Sequence, residues 1–186
     1  MAVAQRIDDL AYERLVLDER HGILELRDGV LVEKPPMSAG HTWSIDCLSR
    51  ELNRQLDPDE FVVSTGGTRL QVGASYLVPD LTVVPTEAVR SLLERDILGV
   101  TVYDDPMPLV VEVRSPSTGA SDLTGKLPLY RVRGDREIWI VNPVERTLMA
   151  WVRRDDASYA ETVHTGGIVE RAALPGVRVD LGALFR

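Results

Sequence analysis

Cysteine and long apolar runs are scarce in this sequence. The sole cysteine among 186 residues is Cys47, so neither an internal disulfide nor a zinc site built from cysteines can form. No run approaches the ~18 apolar residues that a membrane-spanning helix needs. The N-terminal segment carries acidic residues and lacks the apolar core of a signal peptide. These absences predict a soluble protein of the reducing cytoplasm, with no membrane partner.

Basic charge is also in short supply. The chain has 21 lysines and arginines against 29 aspartates and glutamates, which gives a formal net charge of -8. A protein that coats nucleic acid generally presents a basic face. The charge balance argues against that class but leaves a local basic cleft open. The acidic excess has two interpretations: it keeps the protein soluble, or it gathers carboxylates around a metal ion.

The order of the predicted elements favours one domain over residues 1–186. A chain of this length buries roughly 70% of its unfolded surface and needs no covalent staples. The pattern predicts a first helix, several strands, a helix at about 39–56, further strands that include 76–84, a helix at about 121–133, and a strand-rich C-terminal part. This order is typical of an α/β (α+β) domain with a mixed sheet, not of a regular βαβ repeat.

A carboxylate, Glu112, interrupts the apolar run 109–113, which is predicted to be a strand. Alternation along this strand places Val110, Glu112 and Arg114 on one face. Because an unpaired carboxylate is costly to bury, Glu112 needs a partner. A salt bridge to Arg114 or Lys126 would satisfy it, and so would a metal ion.

A second carboxylate, Asp80, lies between Pro79 and the apolar run 81–84. If the strands that carry Asp80 and Glu112 are neighbours, the two side chains converge. Two carboxylates that lie close together repel each other unless a cation lies between them. Oxygen ligands with open water positions suit magnesium or manganese. The alternative is that Asp80 is a turn carboxylate at the end of a strand.

Lys126 is spaced four residues from both Asp122 and Tyr130, so the three residues share one helical face. In one interpretation Lys126 turns toward the two carboxylates and stabilises charge there. In the other it forms a surface pair with Asp122, worth about 0.3 kcal/mol, while Tyr130 packs. Pro128 lies inside the predicted helix and should kink or delay it, because proline lacks the backbone donor.

A set of short motifs carries a family resemblance. These are Pro79-Asp80, Glu112-Val113-Arg114-Ser115-Pro116-Ser117-Thr118, the later Asp122, Lys126, Tyr130 and Gly134, and Glu137-Ile138-Trp139-Ile140-Val141-Asn142-Pro143, together with Glu25, Asp28-Gly29, Glu33, Pro35-Pro36 and His41 near the start. Over about residues 10–165 the chain resembles the Uma-two family, whose members are described as restriction endonucleases.

The resemblance implies a restriction-endonuclease-like PD-(D/E)XK core, in which a mixed central β-sheet is flanked by helices, with extra C-terminal strands here. It implies that Asp80 and Glu112 are catalytic and hold Mg²⁺ or Mn²⁺, that the carbonyl of Val113 is a third ligand, and that Lys126 is the catalytic lysine. The implied activity is metal-dependent hydrolysis of DNA phosphodiester bonds. A homodimer would be the simplest way to cut two strands.

One position departs from the family pattern. Arg114 stands where the motif has lysine, and because arginine stays protonated it cannot act as a base. Arg114 can still hold a phosphate, and Ser115 and His41 are further candidates for contact with the substrate. The alternatives are that Ser115 belongs to a turn that caps a helix and that His41 is a capping or packing residue. Glu25 is a candidate for an extra acid at the site. The alternative function is a non-catalytic module of the same fold that binds nucleic acid or a protein partner. Arg114, Pro128 and the net charge of -8 favour that alternative.

Overall fold

The computed structural model describes residues 7–18, 21–115 and 122–186, without the side chains of residues 122 and 123. Its helices are α1 (Asp9–Val16), α2 (Ala39–Asn53), α3 (Thr86–Arg95), α4 (Leu127–Arg133) and α5 (Leu181–Leu184), and a π-helical turn (Asp122–Lys126) precedes α4. Its strands are β1 (Leu24–Arg27), β2 (Val30–Glu33), β3 (Phe61–Thr65), β4 (Arg69–Val72), β5 (Ser75–Leu77), β6 (Leu81–Pro85), β7 (Val102–Tyr103), β8 (Leu109–Val113), β9 (Glu137–Asn142), β10 (Thr147–Arg153), β11 (Tyr159–His164), β12 (Ile168–Glu170) and β13 (Arg178–Asp180).

A six-stranded mixed sheet forms the centre of the fold, in the order β11-β10-β9-β8-β6-β3. Strands β8 and β9 are parallel, and the remaining neighbours are antiparallel. Every residue of β8 and β9 is buried, as expected of central strands covered on both faces. The predicted mixed central sheet is confirmed.

The two faces of the central sheet are covered by different layers. Alternate residues of β8, such as Leu109 and Val111, pack on one face with the apolar side of α2 and with the C-terminal strands and helix. Val110 packs on the other face with Tyr130 of α4 and with a second sheet, ordered β2-β1-β5-β4-β7. Glu112 belongs to the face of Val110, so it points toward α4 and the second sheet.

The chain passes from the second sheet to the central sheet at Pro79. A single strand over 76–84 was predicted, and this prediction is wrong. Tyr76 pairs with β1 in the second sheet, whereas Leu81 pairs with Val111 in the central one. Proline cannot donate to a strand ladder, so the ladder breaks there and Asp80 lies immediately before β6.

Pro128 explains the break in the predicted helix over 121–133. It lies in the first turn of α4, where the missing backbone donor costs little. The expected delay is therefore confirmed, and the π-helical turn ends at Lys126, directly before α4. Gly134, at φ +83°, then terminates α4 in the left-handed conformation that glycine adopts most readily.

Within the described ranges, none of the helices combines the length and apolar character needed to cross a membrane.

Candidate active site

Asp80 lies at the junction of three elements and is 4% exposed. Its Oδ2 accepts a hydrogen bond from the backbone N–H of Val113 at 2.7 Å and lies 3.0 Å from Nε2 of His41, in the first turn of α2. Its Oδ1 accepts from Nζ of Lys34, which follows β2, at 2.7 Å. The antiparallel register of β6 and β8 sets Asp80 beside the end of β8, so the predicted convergence of the two strands is observed.

The surroundings of Asp80 favour its ionised form. Burial alone would raise the pKa of Asp80, but the hydrogen bond from His41 and the ammonium group of Lys34 outweigh it and hold the pKa well below its usual range. The other ring nitrogen of His41, Nδ1, is buried and has no hydrogen-bond partner among the described residues. Asp80 is therefore a carboxylate at neutral pH.

Glu112 is 2% exposed. Its hydrogen-bond donors come from the π-helical turn and from α4, which cover the same face of the central sheet. Its Oε1 accepts from Nζ of Lys126 at 3.0 Å and from the hydroxyl of Tyr130 at 2.5 Å. Burial, reinforced by the charge of Glu112, raises the pKa of Tyr130 well above 10. The phenol thus keeps its proton and remains a donor to Glu112.

Lys126 joins the two sheets through carboxylates. Its Nζ lies 2.8 Å from Oε1 of Glu25 on β1, in addition to its contact with Glu112 on β8. Glu25 also accepts from the backbone N–H of Val78 at 3.0 Å and from Arg27 at 2.8 Å. Burial acts to raise the pKa of Glu25, but Lys126 and Arg27 lower it overall. Lys126 is 2% exposed, so the surface position that the alternative gives it is wrong.

The charged side chains that hold Asp80 and Glu112 line one cavity of about 280 Å³. The sequence-predicted residues on its wall are His41, Asp80, Glu112, Val113, Ser115 and Lys126, and Glu25 is there as well. The cavity wall carries both carboxylates and cationic groups, so an incoming ligand meets both signs of charge. Such an arrangement can bind a cation through oxygen atoms and an anion through nitrogen atoms in adjacent positions.

Arg114 is the predicted site residue that does not line this cavity. It is half-buried, its backbone N–H donates to the carbonyl of Val141 at 2.7 Å, and its Nε has no hydrogen-bond partner in the described part of the chain. The motif residues Pro116, Ser117 and Thr118 lie outside the described residues, as does the side chain of Asp122. The proposed pairing of Asp122 with Lys126 therefore stays a prediction.

Sequence reasoning missed Lys34. This lysine also donates to the carbonyl of Val78 at 2.8 Å. It therefore anchors both Asp80 and the residue before Pro79, where the chain passes from one sheet to the other. Its partner Asp80 is 46 positions away along the chain. The local signal, a cation between a strand and Pro35-Pro36, specifies no partner at that distance.

The central mixed sheet and its two covering layers form a restriction-endonuclease-like fold, with Asp80 directly before β6 and Glu112 on the neighbouring β8. Among solved structures, the chain is similar to one from Anabaena variabilis ATCC 29413 described as "a putative nuclease belonging to DUF820". The TM-score is 0.68 and the sequences are 17% identical, with 87% of this chain and 89% of the other covered. At this identity the likeness shows a shared fold.

A comparison with protein-family models identifies the family of the chain. The Uma2 model, described as "Putative restriction endonuclease", matches residues 10–182. The protein belongs to the Uma2 family, as its motifs indicate. No curated protein matches the chain.

Proposed function

We propose that this protein is a divalent-metal-dependent endonuclease that hydrolyses phosphodiester bonds in DNA. The observation that supports the proposal is the meeting of Asp80 and Glu112 at one cavity, each beside a lysine. Membership of a family described as restriction endonucleases supports the same reaction class.

The donor atoms of the site suit a hard cation. Asp80, Glu112 and the carbonyl of Val113 offer oxygen atoms, the type of ligand that Mg²⁺ and Mn²⁺ prefer. A carboxylate has about four acceptor positions, and the contacts of Asp80 with Lys34, His41 and Val113 use three of them. In the described ranges no group of three or more His, Cys, Asp or Glu side chains is arranged as a metal centre, so the proposed set is two carboxylates and a carbonyl.

When bound, the cation lowers the pKa of a coordinated water and stabilises charge on the phosphate. The chain supplies the remaining functions. Lys126 holds Glu112 in place and presents positive charge to the cavity, and Ser115 donates to the phosphate. Lys34, which donates to Asp80, would be available to a phosphate oxygen in the same cavity if Asp80 held a cation. His41 orients Asp80, and Arg114 contacts the substrate backbone outside the cavity.

Cleavage of plasmid DNA in Mg²⁺ or Mn²⁺ tests this function. We expect Asp80→Ala and Glu112→Ala each to lower the rate by about 10³-fold or more, because the metal stabilises the transition state by several kcal/mol. Asp59→Ala, which removes an exposed carboxylate, is the matched control and should cleave normally. Cleavage that survives both substitutions at the site refutes the proposal.

The internal pairing of Asp80 and Glu112 with cations favours a second candidate, a non-catalytic module that binds nucleic acid or a protein. In this case the charges of the site are balanced without a metal. Calorimetric titration with Mn²⁺ separates the two. Heat that is lost in Asp80→Ala supports the nuclease, whereas a folded protein that takes up no Mn²⁺ at millimolar concentration supports the module.

A further inference from the structure

A second cavity adjoins the first along segment 33–37. It measures about 410 Å³ and shares that segment and Asp80 with the first cavity. Pockets for small organic ligands usually measure about 300–1,000 Å³. The second cavity is therefore large enough for a nucleoside and lies beside the place where the proposed function puts the phosphate.

The walls of the second cavity are largely apolar. Ile23 and Ile45 line this cavity and not the first, whereas Met37 lines both. Thr42 and Asp46 add two polar groups from one face of α2, because they are four residues apart. A flat heterocycle with polar edges matches this combination of apolar walls and a few polar groups.

The charges that line the second cavity determine which part of a nucleotide it can bind. Glu33, Asp46 and Asp80 line the second cavity, and the one cation among its described lining residues is Lys34, on the shared boundary. A phosphate inside would meet like charge, whereas a phosphate at the boundary would meet Lys34. A neutral base fits the interior.

We propose that the second cavity binds the nucleobase next to the scissile phosphate and prefers bases with an exocyclic amine. The inference rests on the proposed function. The carboxylate of Asp46 accepts a hydrogen bond from such an amine, as acidic side chains do from cytosine, and thymine has no amine to offer. Only an unstacked base reaches a pocket of this kind, so single-stranded or flipped nucleotides are the substrates.

Titration with deoxycytidine and thymidine monophosphates, followed by methyl resonances of the intact protein, tests the inference. We expect deoxycytidine monophosphate to shift the methyl signals of Ile23 and Ile45, which line the second cavity only, and thymidine monophosphate to bind about fivefold to tenfold more weakly. Thr42→Trp, which fills the cavity, should abolish the shifts. The matched control is Asn53→Trp, on an exposed part of the same helix, and it should keep them.

Asp46→Asn provides a test that does not depend on filling the cavity. It should bring the two nucleotides to within about twofold of each other, and circular dichroism confirms that each variant is folded. Shifts confined to the first cavity, or equal binding by Thr42→Trp, overturn the inference. A protein that cleaves plasmid without these methyl shifts refutes the base site alone. A protein that binds deoxycytidine monophosphate here but cleaves no DNA supports the site and refutes the nuclease.

Discussion

Lys126 and Arg133 are both buried cations, and they differ in what surrounds them. Lys126 lies between the carboxylates of Glu25 and Glu112, on the wall of a cavity. Arg133 lies 3.2 Å from Asp135 and donates its remaining N–H groups to main-chain carbonyls, including those of Gln71, Tyr103 and Asp105. The Lys126 cluster faces a space that a ligand can enter, whereas the Arg133 cluster is closed by the fold itself. Burial and pairing alone therefore do not identify a functional site, because both clusters have them.

The largest expected difference between the clusters is in activity. Lys126→Met should lower DNA cleavage by at least about 100-fold, because a fixed charge at the reacting group is lost. Arg133→Lys should leave the rate per folded molecule unchanged. Plasmid cleavage, normalised to the folded fraction, measures both. Equal losses would mean that Arg133 also serves the reaction.

For stability, the larger effect is expected at the Arg133 cluster. Arg133→Met is expected to reduce the free energy of unfolding by roughly 3–5 kcal/mol, because Asp135 is left buried without its counter-ion. Urea denaturation followed by circular dichroism measures the loss. A change below about 1 kcal/mol would show that the cluster holds little of the fold together.

The closed cluster also predicts a pH dependence. Burial raises the pKa of Asp135 to about 6, although Arg133 and the backbone N–H of Met107 act against it. The folded state then binds the proton more tightly than the unfolded state, so this group lowers stability as pH rises from about 4 to about 6, by roughly 2–3 kcal/mol. Asp135→Asn should remove that slope. Unfolding curves at several pH values test this, and an unchanged slope in the variant would contradict it.

The smallest predicted effect concerns metal ions and distinguishes the clusters most directly. Lys126→Met leaves Glu25 and Glu112 without their shared ammonium, and a divalent cation can take its place. We expect millimolar Mg²⁺ to restore about 1–2 kcal/mol to this variant. Arg133→Met should recover nothing, since no space opens at its cluster. Thermal unfolding with and without Mg²⁺ gives the comparison.

The core strands and their carboxylates were predictable because each is marked by residues that are adjacent in the sequence. An apolar run that contains Glu112, and a proline before Asp80, are visible in a few residues. The crossing between sheets at Pro79 was missed, because a continuous apolar stretch does not reveal which partner each half pairs with. Lys34 was missed for a related reason: its contact with Asp80 exists only after β2 and β6 have been placed by the whole fold.

The crossing at Pro79 makes the site a product of assembly. Glu25 comes from one sheet and Glu112 from the other, and Lys126 connects them only when the two sheets are docked. A partly folded chain with an intact central sheet would carry Asp80 and Glu112 but not the complete charge arrangement. Under the proposed function, nuclease activity would therefore require both sheets to be docked, and a freshly synthesised chain would be inactive until its last layer had closed.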